Sequence, residues 1–176
     1  KITIIPRTSG ALGYTMQVEQ TDKVAAMARI IRQEKLERVM VFCNTKGMVE
    51  RLTKYLEMEG LDAACIHGDI PQKKREQVMA RFRRGELPVF VATDVAARGI
   101  DVDDVDAVFN YEVPEENEYY IHRIGRTGRA KKHGVAYTLL SDFPSRLRLD
   151  NIARNTRSTI VPAVLGEDGS VTVGEK

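Results

Sequence analysis

Short apolar runs alternate along the chain with stretches in which apolar residues recur every three or four positions. VMVFC (39–43) is β-branched and bounded by polar residues, the pattern of a buried strand. KGMVERLTKYLEMEG follows, with Met48, Val49, Leu52, Tyr55 and Leu56 at helical spacing and Gly60 suited to a C-terminal cap. AACIH (63–67) predicts the next strand. QKKREQVMARFRRG predicts a helix with Val78, Met79 and Phe82 inward and Gly85 at its end. PVFVAT (88–93), DAVFNYEV (106–113) and GVAYTLL (134–140) predict three further strands, and NEYYIHRIG and a segment near 144–156 two further helices. Ahead of these, YTMQVE and DKVAAMARIIRQE form one more strand–helix unit. The last stretch, LGEDGSVTVGEK, carries turn residues and few apolar ones, as a short hairpin or a frayed tail would.

Strand–helix alternation with short connections implies an α/β fold, a parallel sheet covered by helices on both faces. Its crossovers are expected to be right-handed. Ligands of such sheets bind outside the carboxyl ends of the strands. Polar and glycine residues fall at those ends: Asn44-Thr45, His67-Gly68-Asp69, Thr93-Asp94 and the segment before Arg123.

Composition adds limits. The 176 residues suggest one domain, and 43% hydrophobic content suffices for a single ordinary core. Lys and Arg number 27 against 25 Asp and Glu, a net charge of +2, which argues against a broadly basic nucleic-acid coat but not against a local basic surface. Cys43 and Cys65 lie inside apolar runs without a C-x-x-C pair, so buried reduced thiols are expected and a zinc site is not. No apolar stretch approaches the roughly 20 residues of a bilayer span, and no signal-peptide pattern is visible at the start, so a cytoplasmic protein is expected. The chain starts at Lys1 and not at methionine, as a piece of something longer would.

Three segments carry candidate chemistry. In HRIGRTGR (122–129), Arg123, Arg126 and Arg129 recur every third residue with Gly125 and Gly128 between them. On an ideal helix residues three apart advance by about 300°, so the guanidinium groups would spread over one broad side. Each glycine weakens a helix by about 1 kcal/mol relative to alanine and lets the backbone approach a partner. Guanidinium is permanently charged, and its forked donors match phosphate oxygens. A solvated basic helix end, paired with Glu115, Glu116 and Glu118, is the alternative to phosphate recognition.

In VATDVAARGIDV (91–102), a strand ends in Thr93-Asp94, and Ala96 and Ala97 permit close approach of the backbone. Thr93 offers a hydroxyl and main-chain donors to a phosphate, and Asp101 can accept from a ribose hydroxyl. Equally, Asp94 could cap a helix and Asp101 pair with Arg98. In HGDIPQKKREQVMARFRRG (67–85), Gly68-Asp69 makes a turn, Pro71 suits a first helical turn, and Gln72 and Arg75 share one face near the helix start. Most of the Lys and Arg residues of this helix read as a solvated face.

Taken together and in this order, VFCNTKGMVERL, HGDIPQKKREQVMARFRRG, VATDVAARGIDV and YIHRIGRTGRA resemble the C-terminal RecA-like domain of DEAD-box RNA helicases. They are similar to that family's motif IV, Q-x-x-R element, motif V and motif VI. The resemblance covers roughly residues 14 to 160. Residues 1–13 stay without assignment, and 161–176 are left as a tail or short hairpin. It implies a three-layer α/β/α domain with a mainly parallel central sheet. It further implies that Arg126 and Arg129 contact the γ-phosphate of ATP as arginine fingers, and that Asp101 contacts the ATP ribose. By the same resemblance His122 links to another domain and Arg123 supports that interface. Thr93, Arg98 and Arg75 lie where the family holds RNA phosphates, and Asn44, Thr45 and Gly68 sit on the same RNA-facing edge. No row of exposed aromatics offers a stacking platform, so RNA contacts without sequence preference are expected.

Neither G-x-x-x-x-G-K-[ST] nor D-E-A-D occurs. The phosphate cradle, the Mg2+ ligands and the water-positioning carboxylate are therefore expected from an N-terminal RecA-like domain of the same protein. This chain alone is expected to hydrolyse no ATP and to bind RNA weakly, with Arg126 and Arg129 exposed and underused. PRTSGALGYTMQ (6–17) is also similar to a segment of FtsH-type membrane zinc proteases, but no H-E-x-x-H accompanies it. A stand-alone RNA or protein interaction domain remains an alternative. A dinucleotide-binding oxidoreductase would need G-x-G-x-x-G after the first strand, and none is present.

Overall fold

The computed structural model describes residues 11–127 and 134–174. Within them the order is β1 (Ala11–Gln17), a 3-10 turn (Gln20–Asp22), α1 (Lys23–Gln33), β2 (Val39–Cys43), α2 (Lys46–Met58), β3 (Ala63–Ile66) and α3 (Gln72–Arg83). There follow β4 (Val89–Thr93), the single-turn helix α4 (Asp94–Ala97), β5 (Ala107–Asn110), α5 (Asn117–Ile124), β6 (Gly134–Leu140), α6 (Phe143–Thr156), β7 (Ile160–Leu165) and β8 (Val171–Val173). The strands form one sheet in the order β3-β4-β2-β5-β6-β1-β7-β8. Neighbours from β3 to β7 run parallel, and β8 returns antiparallel along β7.

The uninterrupted apolar runs follow from burial on both faces of the sheet. Successive side chains of a strand point to opposite sides. Val39, Val41 and Cys43 of β2 enter the core that also holds Met27, Ile30 and Leu52 from α1 and α2. Met40 and Phe42, between them, enter the opposite core with Val78, Met79 and Phe82 of α3. A smaller cluster of Val113, Tyr120, Leu140, Leu149 and Ile152 seats α5 and α6.

One strand boundary differs from expectation. β1 opens at Ala11, three residues before the predicted strand. It pairs from Ala11 onward with Gly134–Leu140 of β6, and Leu12 is buried. Residues 11–13, left without assignment by the sequence, are thus part of a strand inside the sheet. At the other end, residues 160–173 form a β-hairpin whose first strand extends the sheet beside β1.

Candidate functional site

The carboxyl ends of β2, β4 and β5 converge on one buried guanidinium. Arg123 of α5 has no exposed surface. Its Nε and Nη2 donate to the two carboxylate oxygens of Asp94, both at 2.7 Å. Nη2 also donates to Asn44 Oδ1 at 2.8 Å, and Nη1 to the Glu112 carbonyl at 2.8 Å and to Asn110 Oδ1 at 3.3 Å. The ring of Phe42 lies 5.4 Å below the guanidinium. A buried charge is tolerated only when paired and hydrogen-bonded, and this fork is fully used.

The network occupies both Arg123 and Asn44. Arg123 presents no surface, so it cannot itself touch another domain; any support it gives an interface passes through Asp94 and α5. Asn44 accepts from Arg123, while its Nδ2 donates to the Val113 carbonyl at 3.0 Å and its backbone N–H to Glu112 Oε1 at 2.8 Å. Its amide is therefore engaged inside the domain.

Thr45 and Thr93 play one local part at two helix starts. Thr45 Oγ1 accepts from the Met48 N–H at 3.2 Å and Thr93 Oγ1 from the Ala96 N–H at 3.2 Å, each satisfying an orphan donor of the first turn. Thr45 is exposed and Thr93 buried. Gly68 is exposed in the turn after β3, beside the Lys46–Asp69 ion pair at 3.2 Å. The adjoining His67 is buried and meets Glu50 at 2.7 Å.

Two clefts flank the segment 97–102. One, of about 210 Å3, is lined among others by Asp94, Arg98, Tyr119, His122 and Arg126. The other, of about 370 Å3, lies against α3 and is lined by Gln72, Arg75, Arg83, Arg98 and Asp101 among others. The structure thus brings Arg75, Arg98 and Asp101 to one cleft and Arg98, His122 and Arg126 to its neighbour. His122, Arg98 and Asp101 are exposed, and Arg75 is half-buried. The Arg98 guanidinium lies over the ring of Tyr119 at 5.9 Å, within cation–π reach. Ligand pockets commonly span about 300–1,000 Å3, so the first cleft suits a fragment of a ligand held mainly elsewhere. Among the described residues no group of three or more His, Cys, Asp or Glu side chains could hold a metal ion.

Arg126 departs from expectation. It is half-buried and occupied: Nη1 donates to the carbonyls of Ile100 at 2.6 Å and Val102 at 3.2 Å, and Nη2 to that of Ala97 at 2.7 Å. Helical spacing does not govern it, because α5 ends at Ile124 and Arg126 lies beyond the helix. Arg129 and Gly128 lie outside the described residues.

Sequence reasoning missed Asp94 as an ion-pair partner, and with it Asn110. A signal existed in Asn110, a buried polar residue closing the apolar run AVFN. The pairing with Arg123, 29 positions away from Asp94, is a product of the tertiary fold. Burial also sets the behaviour of neighbouring groups. It pushes the Cys43 thiol far up, lowers the Lys23 ammonium, and raises the Tyr111 phenol. Lys23 remains anchored by donating to the Tyr111 carbonyl at 2.9 Å.

A parallel sheet clad by helices, with cationic side chains gathered at the carboxyl edge, is the RecA-like α/β architecture. Residues 22–131 match the family described as the helicase conserved C-terminal domain, and the chain belongs to it as the corresponding domain of a DEAD-box protein. It is 41% identical over 150 residues to the ATP-dependent RNA helicase CshA of Limosilactobacillus reuteri, covering 85% of this chain and 30% of that protein. The chain therefore spans less than a third of that relative's length. Its fold superposes on E. coli DEAD-box protein SrmB, seen bound to regulator of ribonuclease activity A, with a TM-score of 0.81 and 33% identity over 89% of this chain and 91% of that one. S. cerevisiae Dbp5 bound to RNA and ADP BeF3 superposes with a TM-score of 0.77 at 30% identity, over 87% of this chain and 42% of that one. Among the described residues no helix is long and apolar enough to cross a membrane.

Proposed function

We propose that this chain is the C-terminal half of an ATP-dependent RNA helicase, active only when joined to an N-terminal RecA-like domain. The observation that carries the reading is the clustering at one sheet edge: Arg126, His122 and Arg98 around one cleft, and Arg75, Arg98 and Asp101 around the next. The first cleft is the phosphate side, where Arg126 is assigned to the γ-phosphate of ATP; Arg129, outside the described residues, is assigned to the same phosphate. Asp101, exposed on the segment between the clefts, is assigned to the ribose. Arg75 and Arg98, with the backbone around Thr93, Thr45 and Gly68, are assigned to RNA phosphates. Such contacts position a strand without reading its bases. Mg2+ and the attacking water are assigned to the other domain. The relative seen with RNA and ADP BeF3 supports this assignment of ligands.

Bound ATP supplies the phosphoryl group and the charge that draws the two domains together. This chain's arginines neutralise charge that develops at the phosphate, a contribution worth about 10³–10⁵ in rate in other NTPases. RNA held against the Arg75–Arg98 edge in a bent path no longer fits a continuous duplex, so short duplexes open. The test joins this chain to its N-terminal domain and measures RNA-stimulated ATP turnover. Turnover should fall by about 10³ or more in Arg129→Ala. Normal turnover in that variant overturns the finger assignment, and RNA-stimulated turnover by this chain alone overturns the split-site reading.

A further inference from the structure

The helicase reading treats Arg126 and Arg129 alike, as groups waiting for a phosphate. The hydrogen bonds of Arg126 say something more specific. Its fork closes on three carbonyls of a single short segment, those of Ala97, Ile100 and Val102. That segment leaves the one-turn helix α4 and passes through Gly99 at φ +84°. Beyond α4 itself, its backbone bonds among the described residues are those from the Arg98 N–H to the Asp94 carbonyl and from the Ile100 N–H to the Ala97 carbonyl. Among the described residues no strand pairs with it. The main chain of Arg126 is fixed as well, since its carbonyl accepts from the Val105 N–H at 3.0 Å and Thr127 bridges to Val105. The donor is thus anchored beyond the segment and reaches back across it.

We infer that Arg126 is a positioning residue for the 97–102 segment, setting Arg98 and Asp101 before any ligand arrives. A charged fork is suited to the task. Hydrogen bonds from an ionised donor are roughly twice as strong as neutral ones, and two guanidinium nitrogens fix three acceptors in one geometry. A half-buried site screens them less than open solvent would. The segment borders both clefts, so its order bears on RNA and ribose together. This part of the inference rests on the helicase reading; the bracing itself does not. An approaching phosphate would compete with the three carbonyls for the same guanidinium, so nucleotide binding and segment order are coupled through one side chain.

Amide hydrogen exchange on this chain, without RNA or ATP, separates the bracing from the helicase reading. In Arg126→Ala, exchange at the Arg98 and Ile100 amides should rise at least tenfold, while α2 amides stay within twofold of the parent. Arg126→Lys, with one ammonium in place of the fork, should fall between them. In the two-domain protein without nucleotide, Arg126→Ala should weaken binding of single-stranded RNA at least fivefold, an effect that loss of a phosphate contact alone would not produce. Unchanged exchange at Arg98 and Ile100 in both variants overturns the inference and leaves the helicase reading standing. Faster exchange throughout α2 in Arg126→Lys also overturns it, because the role would then be global stability. Increased exchange with unchanged RNA affinity overturns the functional half, that the bracing serves the ligand edge.

Discussion

Removing the carboxylate of Asp94 should cost this domain a large part of its stability. Asp94 supplies two 2.7 Å acceptors to Arg123, and the two side chains are 10% and 0% exposed. Taking one partner from a buried pair leaves an uncompensated charge and costs about 3–5 kcal/mol. Here Asn44, Asn110 and the Glu112 carbonyl would still hold the guanidinium, which places Asp94→Ala near the lower end, at about 3 kcal/mol. For a domain of this size 1 kcal/mol moves the melting temperature by about 2–4 °C, so a fall of about 6–12 °C is expected. Arg123→Met should cost more, because it orphans all the acceptors at once, each worth about 1–3 kcal/mol when left buried and unpaired. Urea titrations of the parent, the two single variants and the double variant close a cycle. The pair should show a coupling of about 1–3 kcal/mol, so that the double variant loses less than the sum. A loss below 1 kcal/mol in Asp94→Ala, or additivity within about 0.5 kcal/mol, would refute the hub.

Gly169→Ala should destabilise the chain by about 2 kcal/mol or more in the same titration. Gly169 has φ +91°, and an added Cβ would stand 2.5 Å from the Arg29 carbonyl oxygen, a backbone atom that cannot swing aside. A loss under 0.5 kcal/mol would mean that the β7–β8 turn does not pack on α1. Cys43 should resist alkylation at pH 8, since it is fully buried and its thiol is pushed far above the ordinary range by that burial. Mass spectrometry after iodoacetamide treatment should find Cys43 unmodified until denaturant is added, and rapid labelling of the folded chain would contradict this core.

The sheet was legible because burial on both faces leaves a plain mark. VMVFC, VFVAT and GVAYTLL are apolar at every position or nearly so, and each became a strand within a residue of its expected bounds. The helix of QKKREQVMARFR was legible from Val78, Met79 and Phe82, which are buried as the spacing requires. The start of β1 was not. Ala11 and Leu12 beside Gly10 and Gly13 carry little local preference, and pairing with β6, more than 120 positions away, decides their fate. At the site, the residues that gather were readable from motif order. What each does there was not, because a charge looks the same in a sequence whether water, a carboxylate or a carbonyl receives it. Arg123 and Arg126 differ only in what the fold delivers to them: Asp94 to the one, three peptide carbonyls to the other.

That difference bears on how HRIGRTGR works. Its arginines are evenly spaced, yet α5 stops at Ile124, between the first and the second. Arg123 therefore keeps its helical direction and points into the domain, where it ties α5 to the ends of β2, β4 and β5. Arg126 follows the chain out of the helix and ties the same segment to residues 97–102. Together these two residues join the carboxyl ends of three strands to the segment between the clefts, with every partner inside this chain. Any phosphate that reached Arg126 would have to displace its three carbonyl acceptors, whereas Arg123 has its fork taken up by buried acceptors and keeps its place.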